Sequence, residues 1–416
     1  MTLTVTVHRG TQQIGGSCIE LAIAGGERLI LDAGRPLDAP RDAEGLLPAT
    51  LNQSAPATVV FSHGHMDHWG LIGELPGAWP VWAGEKTAEM MRVNAQLARK
   101  PLTRPIATWH SRAKPFAIGN FTITPFLTDH SAMDAYMLLI EAVGRRVFYT
   151  GDFRAHGRKA KLVEALIAAP PRDIDVLLME GTNLGSDKTY ETESELEEKF
   201  VALARSTRRH VFVNWSAQNI DRTVTLLRAA RRTRRKLALD LYGVDVLERL
   251  AGGTRVPVPG PNFPELKVVI TKAGRRLYLQ QGRKDFVDRM ATSPFATSRL
   301  ALKDERAIIM HRDTLSDEFA EKGLGFTPDD AYVFSNWHGY LDRSNPGTGW
   351  ARAEAAGAST HKLHTSGHAS PADLTRFAAA IAPKALVPVH GVAWDNPAIP
   401  LPPIQRITDG EAWLVP

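Results

Sequence analysis

Short apolar stretches rich in β-branched residues alternate with turns that contain Gly and Pro through the first 180 residues. This pattern is typical of β-strands, and the stretches that carry it are TLTVTV, SCIELAIA, ERLILDAG, ATVVFSH, FTITPFLTDH, AYMLLIEA, RVFYTGD and DVLLME. Apolar positions with helical spacing are found in residues 71–100 and 161–169. The pattern therefore predicts a layered α/β domain.

The pattern changes near residue 186, where a polar segment leads into a predicted helix. Thr192 and Glu195 have the spacing of a capping box, in which each side chain bonds the backbone amide of the other. Helices and strands then alternate to about residue 335, and polar motifs return from residue 361. We therefore expect a first domain in residues 1–185 that resumes in residues 361–416, with a second α/β domain inserted as residues 186–360.

Composition narrows the class of protein without defining its function. The chain has 416 residues, 44% hydrophobic and 23% charged, with no apolar run of transmembrane length, so we expect a globular protein that does not enter a membrane. The N-terminus lacks a signal-peptide pattern, and a single cysteine, Cys18, excludes an internal disulfide; both features fit a cytoplasmic protein. The net charge of +5 suits a polyanionic ligand but does not establish one.

Residues 61–70, FSHGHMDHWG, concentrate side chains that bind first-row metals. An isolated HxH is a weak signal, but HxHxDH on a loop after a strand can direct its first two histidines to one ion and the next two side chains to another. A two-metal site needs further ligands, and His130, Asp152 and His390 each stand at a predicted strand end. The alternative, ordinary polar side chains, suits any one histidine better than the whole cluster.

Several motifs resemble the metallo-β-lactamase fold signature: HGHMDH, LILDAG with Asp32, TDHSA with His130 and YTGDFR with Asp152. LLMEGTN, HTSGHAS and VPVHG, which flank the inserted unit, resemble the additional motifs of the β-CASP branch. That branch contains nucleases such as ribonuclease J and the nuclease of pre-mRNA 3′-end processing. The resemblance implies a metallo-β-lactamase αββα sandwich with an inserted α/β β-CASP domain.

The resemblance also implies a role for each motif residue. Two zinc ions are expected, with manganese as the alternative, and their ligands would be His63, His65 and His130 for one ion, Asp67, His68 and His390 for the other, and Asp152 as a bridge. Asp32 would orient a ligand histidine. The implied catalytic residues are His368 as proton donor, Glu180 as the acid that orients it, and the metal-binding carboxylate Asp67. The implied phosphate or RNA contacts are His364, Ser366, Ser216 and Asn219.

The function implied by the resemblance is hydrolysis of RNA phosphodiester bonds by two-metal catalysis, as an endonuclease, a 5′-exonuclease or both. A β-CASP nuclease acting on DNA, a non-catalytic RNA-binding scaffold and a small-molecule hydrolase are the alternatives, and a homodimer is left open. The basic run RAARRTRRK (228–236) is interpreted either as a phosphate contact or as a solvated helix end. Trp215 and Trp337 are interpreted either as base-stacking or as core residues.

Overall fold

The computed structural model describes residues 1–187, 189–395 and 400–416, which form two compact units. The first unit comprises Met1–Arg92, Leu102–Tyr190 and Gly367–Pro416, and the second comprises Val93–Pro101 and Glu191–Ser366. The interpretation of residues 186–360 as an inserted β-CASP domain stays a prediction. Within the described ranges, no helix has both the length and the apolar character needed to cross a membrane.

Two mixed sheets form the first unit. The strands of one sheet are β1 (Leu3–Arg9), β2 (Cys18–Ile23), β3 (Arg28–Leu31), β4 (Thr58–Phe61), β5 (Val81–Gly84), β6 (Ala107–Trp109) and β20 (Ala412–Leu414), in the spatial order β20-β1-β2-β3-β4-β5-β6. The strands of the other are β7 (Phe116–Ile118), β8 (Phe121–Leu127), β9 (Tyr136–Ala142), β10 (Arg145–Tyr149), β11 (Val176–Glu180) and β19 (Ala385–Val389), in the order β19-β11-β10-β9-β8-β7. The helices that begin in this unit are α1 (Met66–Trp69), α2 (Glu85–Leu97), α3 (Ala160–Ala168) and α12 (Pro371–Ile381).

Strands buried on both faces explain the layering of this unit. Successive side chains of a strand point to opposite faces. Along β11, Val176 therefore joins the core shared by the two sheets, and Leu177 joins a second core against α3 and α12. Phe377 of α12 lies in this second core. Such strands read as continuous apolar runs, as DVLLME does. The two layered sheets agree with the fold expected from the motifs.

One helix prediction was wrong in its extent. Residues 71–100 were predicted as helical, but this segment contains turns and the strand β5 before α2 begins at Glu85. Pro76 and Pro80 disfavour a continuous helix, and the apolar residues after Pro80 pair in parallel with β4 and β6. The shorter predicted helix, residues 161–169, is confirmed as α3.

The second unit contains one entirely parallel sheet. Its strands are β12 (Val211–Asn214), β13 (Lys236–Asp240), β14 (Leu266–Val269), β15 (Ala296–Thr297), β16 (Ala307–Met310), β17 (Ala331–Phe334) and β18 (Ser359–Lys362), in the order β15-β14-β13-β16-β12-β17-β18. The helices that begin in this unit are α4 (Glu193–Ser206), which precedes β12, and α5 (Ile220–Arg232), α6 (Leu241–Ala251), α7 (Lys272–Gln280), α8 (Lys284–Thr292), α9 (Arg299–Lys303), α10 (Ser316–Ala320) and α11 (Gly349–Ala355), with 3₁₀ turns at Asp313–Leu315 and His338–Tyr340. The capping box at Thr192 and Glu195 is confirmed at the start of α4. Because all strands run in one direction, the loops after them meet at one edge of the sheet.

Candidate metal centre

The motif histidines and carboxylates lie where strands of the first unit end. The HxHxDH motif forms the turn between β4 and α1, so that His63 and His65 precede the helix and Asp67 and His68 lie in it. The other motif residues follow strands in the second sheet: His130 comes after β8, Asp152 after β10, Glu180 ends β11, and His390 comes directly after β19. Strand ends hold side chains on a rigid support, which a metal site requires.

Three histidines form the first group of potential ligands. One ring nitrogen from each of His63, His65 and His130 lies within 4.8 Å of the others. The Nε2 atom of His130 lies 3.0 Å from Nδ1 of His65. All three rings converge without an acidic residue inside the group, which is the arrangement of an imidazole-rich metal site.

The second group combines two carboxylates with two histidines. Ligand atoms of Asp67, His68, Asp152 and His390 lie within 4.8 Å of one another. The Nε2 atom of His68 is 3.1 Å from Oδ2 of Asp152, and Nε2 of His390 is 3.3 Å from Oδ2 of Asp67. Oδ2 of Asp152 also lies 3.7 Å from Nε2 of His63, so this carboxylate adjoins both groups.

Two buried atoms test whether a metal fits these groups. Within the part of the chain that the structure describes, His63 Nε2 and Asp152 Oδ1 are buried and have no hydrogen-bond partner. Buried polar atoms are nearly always paired, because leaving one unpaired costs about 1–3 kcal/mol. Both atoms belong to the ligand groups, and imidazole with carboxylate is a donor set that suits zinc or manganese. The residues therefore fit transition-metal ions.

Asp32 holds two of these histidines in a defined orientation. Its buried carboxylate accepts hydrogen bonds from the Ser62 amide and hydroxyl, each at 2.7 Å, from the Tyr149 hydroxyl at 2.6 Å, and from Nδ1 of His68 at 2.7 Å. Because the Ser62 hydroxyl donates to Asp32, its oxygen is left to accept from Nδ1 of His63, 3.1 Å away. Both rings thus carry their proton on Nδ1 and leave Nε2 for a metal. Ser62 and Tyr149 were missed from the sequence, where nothing distinguishes them from other polar strand residues.

Two further contacts orient His130 and His390 in the same way. Nδ1 of His130 donates to the carbonyl oxygen of Gly367 at 2.6 Å. Nδ1 of His390 lies 2.9 Å from the Thr182 hydroxyl, whose oxygen can accept a hydrogen bond from it. Neither Gly367 nor Thr182 was predicted as a site residue, although Gly367 lies within HTSGHAS and Thr182 within LLMEGTN.

Burial and neighbouring charges divide the histidines into two electrostatic classes. Burial lowers the pKa of His63 and His130 well below the ordinary value, and neighbouring imidazoles lower each further, which favours the neutral form that binds metals. Burial also opposes a charge on His68, but Asp152 and Asp32 outweigh it and raise the pKa of His68. The second group therefore has the stronger negative potential.

His368 and Glu180 form a buried pair beside the second group. Nδ1 of His368 lies 2.9 Å from Oε2 of Glu180, whose other oxygen accepts from the Phe153 amide at 2.8 Å. Burial acts against a charge on His368, but the carboxylates of Glu180 and Asp152 outweigh burial and raise the pKa of His368 to about 9. Asp152, Glu180, His368 and His390 also have ligand atoms within 4.8 Å, so geometry alone permits His368 either to carry a proton or to bind an ion.

The predicted phosphate contacts lie in the second unit, in the loops after β12 and β18. The amide of Ser216 donates to Oδ1 of Asn336 at 3.1 Å, and Nδ1 of His364 lies 3.4 Å from the carbonyl oxygen of Ser335. The loop after β17 therefore joins the two predicted segments. Asn219 caps α5, because its side-chain oxygen accepts from the amide of Arg222. The Ser366 side chain stays a predicted contact.

Of the two interpretations of Trp215, the structure supports core packing. Trp215 is only 1% exposed and donates from its ring nitrogen to the Thr223 hydroxyl at 3.0 Å, so it is a core residue that no base can reach.

The basic run has structural partners of its own. Arg231 pairs with Glu265 at 3.1 Å, and Arg232 pairs with Glu198 at 2.5 Å. The guanidinium of Arg235 is buried and donates to backbone carbonyl oxygens, including that of Ala204 at 2.7 Å. These contacts favour the interpretation as a helix end.

The sequence of the chain matches two known protein families. Residues 27–239, more than half of the chain, match the Beta-lactamase superfamily domain, and residues 357–393 match the Zn-dependent metallo-hydrolase RNA specificity domain. The chain therefore belongs to the beta-lactamase superfamily. The resemblance inferred from the motifs is confirmed.

Relatives found among curated proteins include ribonucleases J from several bacteria. That of Mycoplasma genitalium is 21% identical over 363 residues, covering 82% of this chain and 58% of the relative. That of Thermus thermophilus is 25% identical over 359 residues, covering 80% and 57%. The chain thus spans less than two thirds of the length of these relatives. A crystal structure of a protein of unknown function from Enterococcus faecalis V583 matches the fold with a TM-score of 0.79 at 19% identity, covering 100% of both chains.

Proposed function

We propose that the chain is a metal-dependent ribonuclease that hydrolyses RNA phosphodiester bonds by two-metal catalysis. The observation that carries the proposal is the pair of adjoining ligand groups, which meet at Asp152 and lie beside the His368–Glu180 pair. The similarity to ribonuclease J and the match to an RNA specificity domain support RNA as the substrate.

Seven side chains would hold the metal ions: His63, His65 and His130 for one, Asp67, His68 and His390 for the other, and Asp152 for both. When bound, two such ions supply a water of lowered pKa and neutralise charge on the phosphoryl oxygens. Hydrogen bonds within the protein fix where these ligand atoms lie. Asp32, Thr182 and the Gly367 carbonyl oxygen each hold an imidazole ring.

His368 would give the leaving oxygen its proton. A carboxylate partner favours the protonated imidazole, and the bond between Nδ1 and Glu180 fixes the orientation of the ring. Glu180 would act through His368 as a positioning residue, since both of its oxygens already accept hydrogen bonds within the protein.

The test incubates purified protein, loaded with zinc or manganese, with end-labelled RNA and with DNA of the same sequence. Cleavage of RNA that leaves 5′-phosphate and 3′-hydroxyl ends is expected. Cleavage of DNA alone would replace the proposal with a DNA nuclease, and RNA binding without cleavage would indicate a scaffold. Circular RNA separates the two modes of attack, because only an endonuclease can open it.

The predicted phosphate contacts are tested separately. If Ser216, Asn219, His364 and Ser366 bind a terminal phosphate, 5′-monophosphate RNA should be degraded faster than 5′-hydroxyl RNA, because a phosphate adds charge-assisted hydrogen bonds. Equal rates on both substrates would contradict that role.

A further inference from the structure

Two exposed aromatic side chains stand together on one loop of the second unit. Among the large aromatic side chains of the described residues, only Trp337 and Tyr340 are exposed, at 54% and 69%. Both belong to the loop after β17, where the 3₁₀ turn His338–Tyr340 brings their ring centroids to 5.1 Å in an edge-on arrangement. Exposed large aromatics that a core does not require often mark a binding surface.

The Trp337 ring packs against its own loop at Gly339. A Cβ atom at Gly339 would lie 2.2 Å from that ring, so the ring rests directly on the turn and only a glycine permits this. At the start of the loop, the side chain of Asn336 donates to Oδ1 of Asn214 at 2.8 Å and accepts from the amide of Ser216 at 3.1 Å. The aromatic pair is therefore anchored to the end of β12 as well as to β17.

One basic side chain, Arg343, lies on the same loop, and another, Lys362, lies on the strand that pairs with β17. The guanidinium of Arg343 lies 4.8 Å from the centroid of the Trp350 ring, and the ammonium of Lys362 lies 6.0 Å from the same centroid. Lys362 pairs in register with Phe334, the last strand residue before the loop. The acidic residue of the loop, Asp342, accepts from the Ser344 amide at 2.9 Å and is thereby turned onto its own loop.

We propose that Trp337 and Tyr340 form a stacking platform for an unpaired base of RNA, with Arg343 and Lys362 near the adjoining phosphates. Aromatic rings beside cationic side chains are how proteins bind single-stranded nucleic acid, because every base has a face to stack and every linkage carries a charge. The platform lies at the carboxyl edge of a parallel sheet, where α/β folds bind ligands. The inference rests on the proposed action on RNA.

The experiment measures binding of the full chain, with EDTA present to prevent cleavage, by fluorescence anisotropy. The probes are a labelled single-stranded oligouridylate and a labelled RNA duplex. Trp337→Ala should weaken binding of the single strand by about five-fold or more, and Tyr340→Ala should act in the same direction. Trp337→Phe should restore binding to within about two-fold of the unmodified protein, because phenylalanine keeps a stacking face. Leu300→Ala is the matched control, since Leu300 is a 64% exposed apolar residue of the same unit.

Each contrary result overturns the platform. The proposal is contradicted if both alanine variants bind the single strand as tightly as the unmodified protein does. It is also contradicted if they lose equal affinity for single strand and duplex, since a paired base offers no free face to stack. A parallel cleavage assay keeps the two proposals apart. If the unmodified protein cleaves RNA and Trp337→Ala binds normally, only the platform fails. If it cleaves nothing but Trp337→Ala loses single-strand affinity, only the ribonuclease proposal fails.

Discussion

Replacing Glu180 by glutamine isolates the contribution of its charge to catalysis. Glu180 is fully buried, and one oxygen accepts from the Phe153 amide at 2.8 Å while the other accepts from His368 at 2.9 Å. Glutamine has nearly the same shape but only one oxygen. If that oxygen remains with Phe153, the amide group faces Nδ1 of His368 and donates to it, which favours a neutral imidazole.

The expected loss of activity follows from replacing the carboxylate that bonds His368 with an amide. A hydrogen bond to a charged group contributes about 1.5–3 kcal/mol, and each 1.36 kcal/mol is tenfold, so kcat/KM for RNA should fall by about 10- to 150-fold. The pH profile should move as well. Burial opposes a charge on His368, but Glu180 and Asp152 together raise its pKa to about 9, and the proposed proton donor would be lost as pH rises through that pKa. Removing the charge lowers this pKa, so the alkaline fall in activity should begin at a lower pH in Glu180→Gln.

The assay compares kcat/KM against pH for the unmodified protein, Glu180→Gln, His368→Ala and the double variant. If Glu180 acts through His368 as proposed, adding Glu180→Gln to His368→Ala should cost little more activity. Glu164→Gln is the control, since Glu164 is an exposed residue in a surface pair with Arg376. Additive losses, an unmoved alkaline limb, or metal loss in Glu180→Gln would refute the reasoning.

Three further outcomes are expected. His390→Ala should lose one bound ion by elemental analysis whereas His368→Ala should keep its metals, and metal loss in His368→Ala would instead assign His368 as a ligand. Asp32→Asn should weaken metal affinity about 10- to 100-fold in a chelator competition, because it disturbs the imidazoles, and unchanged affinity would contradict that role. Burial opposes a charge on Glu20, but His8 and Arg28 outweigh it and lower the pKa of Glu20 to about 2. The stabilisation is therefore present above the unfolded pKa near 4.5 and lost as pH falls toward 2. Glu20→Gln should lower the unfolding free energy by about 2 kcal/mol at neutral pH and by little at pH 2, and an equal loss at both values would contradict the ion pair.

The sequence predicted the parts of the site that depend on local order. HxHxDH could be recognised because a short loop after a strand presents neighbouring residues together. Asp152 and His390 could be recognised because each lies near the end of a predicted strand. The partners Ser62 and Tyr149 were not visible, because a hydroxyl at a strand end acquires meaning only when the fold brings Asp32 to it.

Outside the site, the same limit explains why two interpretations stayed open in the sequence. Burial of Trp215 depends on Thr223, one turn into α5, and no alternation in NWSAQN indicates it. Arg231 and Arg232 read as a basic run because their acidic partners, Glu265 and Glu198, are more than thirty residues away. Local patterns predict elements and motifs well, whereas partners from distant segments must be seen in the fold.

Two residues of the candidate centre also show why its geometry could not be read from sequence. Asp32 and His390 each follow a strand directly, and each has a left-handed backbone, with φ of 62° and 50°. Non-glycine residues pay of order 1–3 kcal/mol for such a conformation, so surrounding bonds must hold it. They do: the Asp32 amide donates to the carbonyl of Val60 at 3.0 Å, and the His390 amide donates to that of Gly10 at 2.8 Å. Glycine would relieve the strain at either position but would remove the carboxylate or the imidazole. The strain therefore persists at two positions where the proposed metal site needs a side chain.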